Sequence, residues 1–117
     1  MDLPEFRINM EAFRAASERD AAARRNSQLV LIDLRNLYQR FDAAERSLAD
    51  RVISEWVASD DENLRFDALA LVDDFGLTAA TEALTTLAVR LRASKLPGAP
   101  FELQKVERIL RSFPSGA

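Results

Sequence analysis

Between residues 43 and 113 the apolar side chains return every three or four positions and nowhere alternate in twos. Leu48, Ala49, Val52, Ile53 and Trp56 make one such stripe; Leu64, Ala68, Leu71, Val72 and Phe75 make the next. Ala80, Ala83, Leu84, Leu87, Ala88 and Leu91 follow, then Leu103, Val106, Ile109, Leu110 and Phe113. A period near 3.6 lines one side of a helix, so each stripe predicts an amphipathic helix with one face to bury. Leu29-Val30-Leu31-Ile32 alone resembles a strand, but its continuation through Leu34, Leu37, Tyr38 and Phe41 restores the helical step. The chain is therefore expected to be all-α.

The breaks fit that reading. Three glycines and four prolines all sit at the edges of the stripes. Asp42 with Glu45, and Ser59 with Glu62, have the capping-box spacing, in which a short polar side chain and a carboxylate three residues on satisfy each other's backbone N–H groups. Thr78 is a candidate cap for the helix after Gly76, and Gly76 suits the left-handed position that closes a helix. Pro100 opens a final helix. The expected helices are 9–25, 27–41, 43–58, 60–75, 79–94 and 101–113, the first two separated only by the weak break Asn26-Ser27. Stretch 9–25, with Met10, Phe13, Ala16 and Ala21, is mildly amphipathic and suits docking on protein rather than on a membrane. The short loops favour antiparallel neighbours, and the alanines of 79–94 favour a close helix–helix approach. With 117 residues this reads as one domain over 1–117, an irregular bundle or short stack of five to six helices. Arg-Phe-Asp-Ala occurs at 40–43 and again at 65–68, an offset that fits no helical repeat.

Cysteine and histidine are absent, which excludes disulfides, thiolate zinc sites, cysteine nucleophiles and imidazole proton transfer. No Walker glycine run, EF-hand loop or Gly-x-Ser-x-Gly elbow occurs. The expectation is no catalytic residue, no cofactor and no metal. The start of the chain lacks a basic region followed by an apolar stretch, so the expected location is cytoplasmic, away from membranes.

Charge is the remaining signal. Residues 1–51 carry nine acids and nine bases. Residues 52–89 carry eight acids and one base, Arg65, whereas 90–117 carry six bases and two acids. Asp60, Asp67 and Asp74 are seven apart and share a helix face, flanked by Asp61 and Asp73. Acids at 60–62 suit a helix start, and Asp61 with Arg65 has i,i+4 spacing. Asp73 and Asp74 stand at a helix end, against the dipole, which calls for a local or external partner. Asp60, Asp61, Asp67, Asp73 and Asp74 are therefore candidates for docking a basic protein, with Trp56 as a candidate anchor beside them. Residues seven apart on a helix are about 10 Å apart, too far to share a metal ion unaided, which keeps a carboxylate-based metal enzyme a third reading. The bases Arg90, Arg92, Lys95, Lys105, Arg108 and Arg111 are too few on a chain of net charge −3 to indicate nucleic acid.

Residues 60–94 resemble a HEAT repeat. Asp60-Asp61, Leu64-Arg65, Ala68, Leu71 and Phe75-Gly76 match the first helix of that family, and Ala80, Leu84 and Leu87 match the spaced apolar residues of the second. From Arg65-Phe66-Asp67-Ala68-Leu69 through Pro97-Gly98-Ala99-Pro100-Phe101-Glu102 to Ile109 the chain also looks like small bacterial HEAT-like proteins found in toxin–immunity neighbourhoods. Fourteen arginines among sixteen bases, and nineteen alanines, suit a GC-rich bacterial source. The resemblance implies a protein-binding module, specifically an immunity-like inhibitor; the alternative is a self-associating protein that pairs residues 1–41 across a two-fold axis.

Overall fold

Asp2 caps the first helix, its Oδ1 accepting from the Glu5 N–H at 3.0 Å, and Pro4 occupies the first turn, where its missing N–H costs nothing. The computed structural model describes residues 1–114. It is all-α among them, with six α-helices: α1 (Leu3–Arg24), α2 (Leu29–Arg40), α3 (Ala43–Val57), α4 (Glu62–Phe75), α5 (Thr81–Ala93) and α6 (Ala99–Ser112). A 3-10 turn, Thr78–Ala80, precedes α5. No helix among the described residues is long and apolar enough to cross a membrane.

Boundaries show where local sequence prevailed. The Asp42–Glu45 box forms in both directions, at 2.8 and 3.0 Å. Gly76 closes α4 with φ +61°, and its N–H reaches the Val72 carbonyl. Two expectations need correction, the start of the first helix and the cap at Thr78, and the weak break at Asn26-Ser27 is decided as a real one. α1 starts six residues before position 9, because Asp2 and Glu5 already have the spacing of an N-terminal cap. α1 and α2 are two helices: Arg25 turns left-handed at φ 51°, and the Asn26 side chain accepts from the Gln28 N–H at 3.1 Å. Thr78 does not cap α5; it starts the 3-10 turn, and its carbonyl accepts from the Thr81 hydroxyl at 2.6 Å.

The chain read as one domain gathers into two compact units, residues 1–52 and 53–117, with the division inside α3. In the first, α1 packs on α2. Phe6, Met10, Ser17 and Ala21 of α1, and Val30, Leu34 and Tyr38 of α2, are buried; Phe13 is only half-buried and Ala16 is exposed. The Phe6 and Phe41 rings meet at 5.1 Å. Ser17 donates to Asp33 at 2.6 Å, and Tyr38 donates to Asp50 at 2.7 Å beneath the Arg46 guanidinium.

Burial, reinforced by the Asp50 hydrogen bond, pushes the Tyr38 hydroxyl well above its ordinary pKa of about 10. A raised folded-state value favours the neutral phenol. Its contribution is therefore complete below pH of about 10 and is lost as pH climbs toward the folded value. Tyr38→Phe is expected to cost about 1–2 kcal/mol at pH 7. The gap from wild type should close in strong alkali, read as urea midpoints from pH 7 to 11. Curves that stay parallel across that range would refute the assignment.

In the second unit α5 packs along α6, and α4 makes a shorter contact with α6. Leu84, Leu87, Ala88 and Leu91 of α5 are buried, as are Ala99, Val106 and Ile109 of α6. The main neighbour of α5 is α6, and Ala88 of α5 and Ala99 of α6 are both buried. From α4 the unit buries Ala68, Leu69, Leu71 and Val72. The two Arg-Phe-Asp-Ala copies fall in unlike places, one at the α2–α3 junction and one inside α4.

Candidate functional site

The acidic residues of 60–74 do not form one open ridge. Asp61 is exposed, but it is the N-cap of α4 in place of Ser59, its Oδ1 accepting from the Asn63 and Leu64 N–H groups at 2.9 and 3.2 Å. Ser59 supports it by accepting from the Asp61 N–H. Asp60 is exposed and accepts from Arg90 at 2.8 Å. Asp73 accepts from Arg108 at 3.2 Å, which supplies the local partner that its place at a helix end required. Asp67, expected on a docking face, is buried, and both Asp67 and Asp74 interact with other groups of the chain. Trp56 is buried beside Ile53 and Val57, with 4% of its surface exposed, so it cannot serve as a surface anchor. The charge blocks of the sequence are thus joined by two ion pairs, Arg90 with Asp60 and Arg108 with Asp73, and by the Arg65–Glu102 pair of opposite sense.

The strongest of these pairings joins α4 to α6. The Arg65 guanidinium donates from Nε and Nη2 to the two Glu102 oxygens at 2.7 and 3.0 Å, and from Nη1 to the Ser59 carbonyl at 3.1 Å. Both side chains are largely buried. The Glu102 hydrogen bonds hold Arg65 further above its ordinary pKa, so the guanidinium stays charged. This replaces the expected Asp61–Arg65 pair. Glu107 of α6 meets Arg92 of α5 at 3.5 Å.

Two concavities flank that bridge. One, of about 460 Å³, is lined by Leu87, Leu91, Leu96 and Pro97, with Asp60, Arg90 and Arg65 among its polar groups. The other, of about 350 Å³, runs past Phe66, Leu69 and Phe101, with Lys105 at its edge. Glu62, Gly98 and Glu102 border both. Phe66 is 57% exposed, Phe101 76% and Leu96 71%. The Lys105 ammonium lies 4.4 Å from the centre of the Phe66 ring. No hydrogen bond or ion pair holds the Glu62 carboxylate among the described residues; it acts on Arg65 through space. No cluster of three or more carboxylates placed to hold a metal ion occurs among the described residues.

Phe66, Phe101, Glu62 and Leu96 were not among the residues chosen from sequence. A signal existed: Phe66 and Phe101 lie off the apolar stripes of their own helices. A large aromatic that no stripe can bury has to face outward or a neighbour, and here it faces outward. No family model matches the chain, and no curated protein or solved structure matches it significantly.

Proposed function

We propose that the chain is a non-catalytic protein-binding module, of the HEAT-like kind that residues 60–94 resemble in sequence, that docks a partner through the aromatic groove of α4 and α6. The observation that carries this is the outward pair Phe66 and Phe101 beside a groove of about 350 Å³. Exposed aromatics around a concavity are the usual anchors of protein interfaces. The Glu62 carboxylate lines that groove at the start of α4, which favours a partner with basic residues. An immunity-like inhibitor covering a basic surface of a cytoplasmic bacterial protein is the specific form of this reading. It moves the docking surface away from Asp67, Asp73 and Trp56, which support the fold.

A random peptide display selection against the intact chain tests it. Enriched peptides are expected to combine apolar anchors with lysine or arginine. Phe66→Ala with Phe101→Ala should weaken the best of them by about 30-fold, the scale of an interface hot spot, with the melting temperature unchanged. Peptides that bind the double variant as tightly as wild type overturn the reading.

Self-association is the second reading, favoured by Ile8 at 64% exposure on α1 and Ile32 at 41% on α2. A clean monomer in sedimentation at tens of micromolar removes it.

A further inference from the structure

The two concavities share a border, and every strong charge around them except one is already committed. Arg65 is held by Glu102, and Arg90 by Asp60. Lys105 lies over one face of Phe66 and occupies it with its own charge. Glu62, which borders both concavities, is held by no hydrogen bond or ion pair among the described residues and acts on Arg65 only through space. On one side of it stand Leu91, Leu96 and Pro97; on the other stand Phe66 and Phe101.

Resting on the protein-binding reading above, we infer that the two concavities act as one bipartite groove that recognises an apolar–basic–apolar segment of another protein. One apolar anchor enters beside Leu91 and Leu96, the other lies against Phe66 and Phe101, and the lysine or arginine between them pairs with Glu62. The charge has to fall at the centre. At the aromatic end a basic residue meets Lys105, a like charge, and at the far end Asp60 is already bridged to Arg90. An acidic residue at the centre would face Glu62 and be rejected, so Glu62 sets specificity as well as affinity.

The experiment takes the best peptide from the display selection and a copy in which its central basic residue is replaced by norleucine. Both are titrated against the wild-type chain and against Glu62→Gln, Leu96→Asp and Phe101→Ala. Glu62→Gln should weaken the basic peptide by about two- to fivefold, the range for an exposed ion pair, and leave the norleucine copy unchanged. Leu96→Asp and Phe101→Ala should each weaken both peptides. Raising the salt should erase the difference between the basic peptide and its copy. Loss of binding in Phe101→Ala with no effect of Glu62→Gln overturns this inference and leaves the aromatic-groove reading standing. An effect of Phe101→Ala with none of Leu96→Asp overturns the bipartite groove in the same way. A selection that enriches no peptide overturns both.

Discussion

Arg65→Met is expected to destabilise the protein by about 3–5 kcal/mol, the cost of breaking a buried ion pair from one side. The side chains of Arg65 and Glu102 are 11% and 15% exposed, so water screens little of the charge left behind. Removing the guanidinium strips both Glu102 oxygens of their donors and takes a third hydrogen bond from the Ser59 carbonyl. Methionine keeps much of the aliphatic volume, so the loss reports the polar contacts rather than a cavity. Arg65→Met with Glu102→Leu should recover at least half of the loss, because two apolar side chains replace a pair that costs much to desolvate. Urea unfolding of the two variants and the wild type measures both effects. A loss below about 1 kcal/mol would mean that the pair behaves as a hydrated surface bridge. The more exposed Arg90–Asp60 pair is expected to contribute little, since Asp60 stands almost wholly in solvent.

That bridge also shows where the sequence was readable and where it was not. Caps are local chemistry, so Asp42 with Glu45, and Gly76, could be read from three or four neighbouring letters, and the helical stripes from about fifteen. Arg65 has Asp61 four residues behind it, a pairing that the sequence favours, yet its partner is Glu102, 37 residues ahead. Asp61 stands outside the helix as the N-cap of α4, with extended backbone and one oxygen on the Asn63 and Leu64 N–H groups. The same long range governs Asp73 with Arg108 and Asp60 with Arg90. An acidic block followed by a basic block is ambiguous in one dimension. It marks a docking surface if the blocks stay apart and an internal zipper if they fold together. Only the packing of α6 on α4 and α5 decides, and it draws Asp60, Asp73 and Arg65 into internal pairs. What remains for a partner is what the zipper leaves over: Glu62, and the aromatics that no stripe could bury.

The aromatic residues give the second large effect. Trp56→Ala is expected to cost about 3–5 kcal/mol, whereas Phe101→Ala should stay within about 0.5 kcal/mol of wild type. Both are large rings near the ends of amphipathic helices, and composition alone ranks tryptophan as the better interface anchor. Burial reverses that ranking. Trp56 is 4% exposed, next to Ile53 and Val57, which are fully buried, so its removal opens a void that close-packed neighbours fill only in part. Phe101 is 76% exposed and loses almost no contact on truncation. For a domain of this size a loss of 3 kcal/mol lowers the melting temperature by at least about 12 °C, which thermal unfolding followed by far-ultraviolet dichroism resolves easily. If Trp56→Ala melts like wild type while its peptide affinity falls, the ring belongs to the interface, and the assignment of roles between Trp56 and Phe101 must be exchanged.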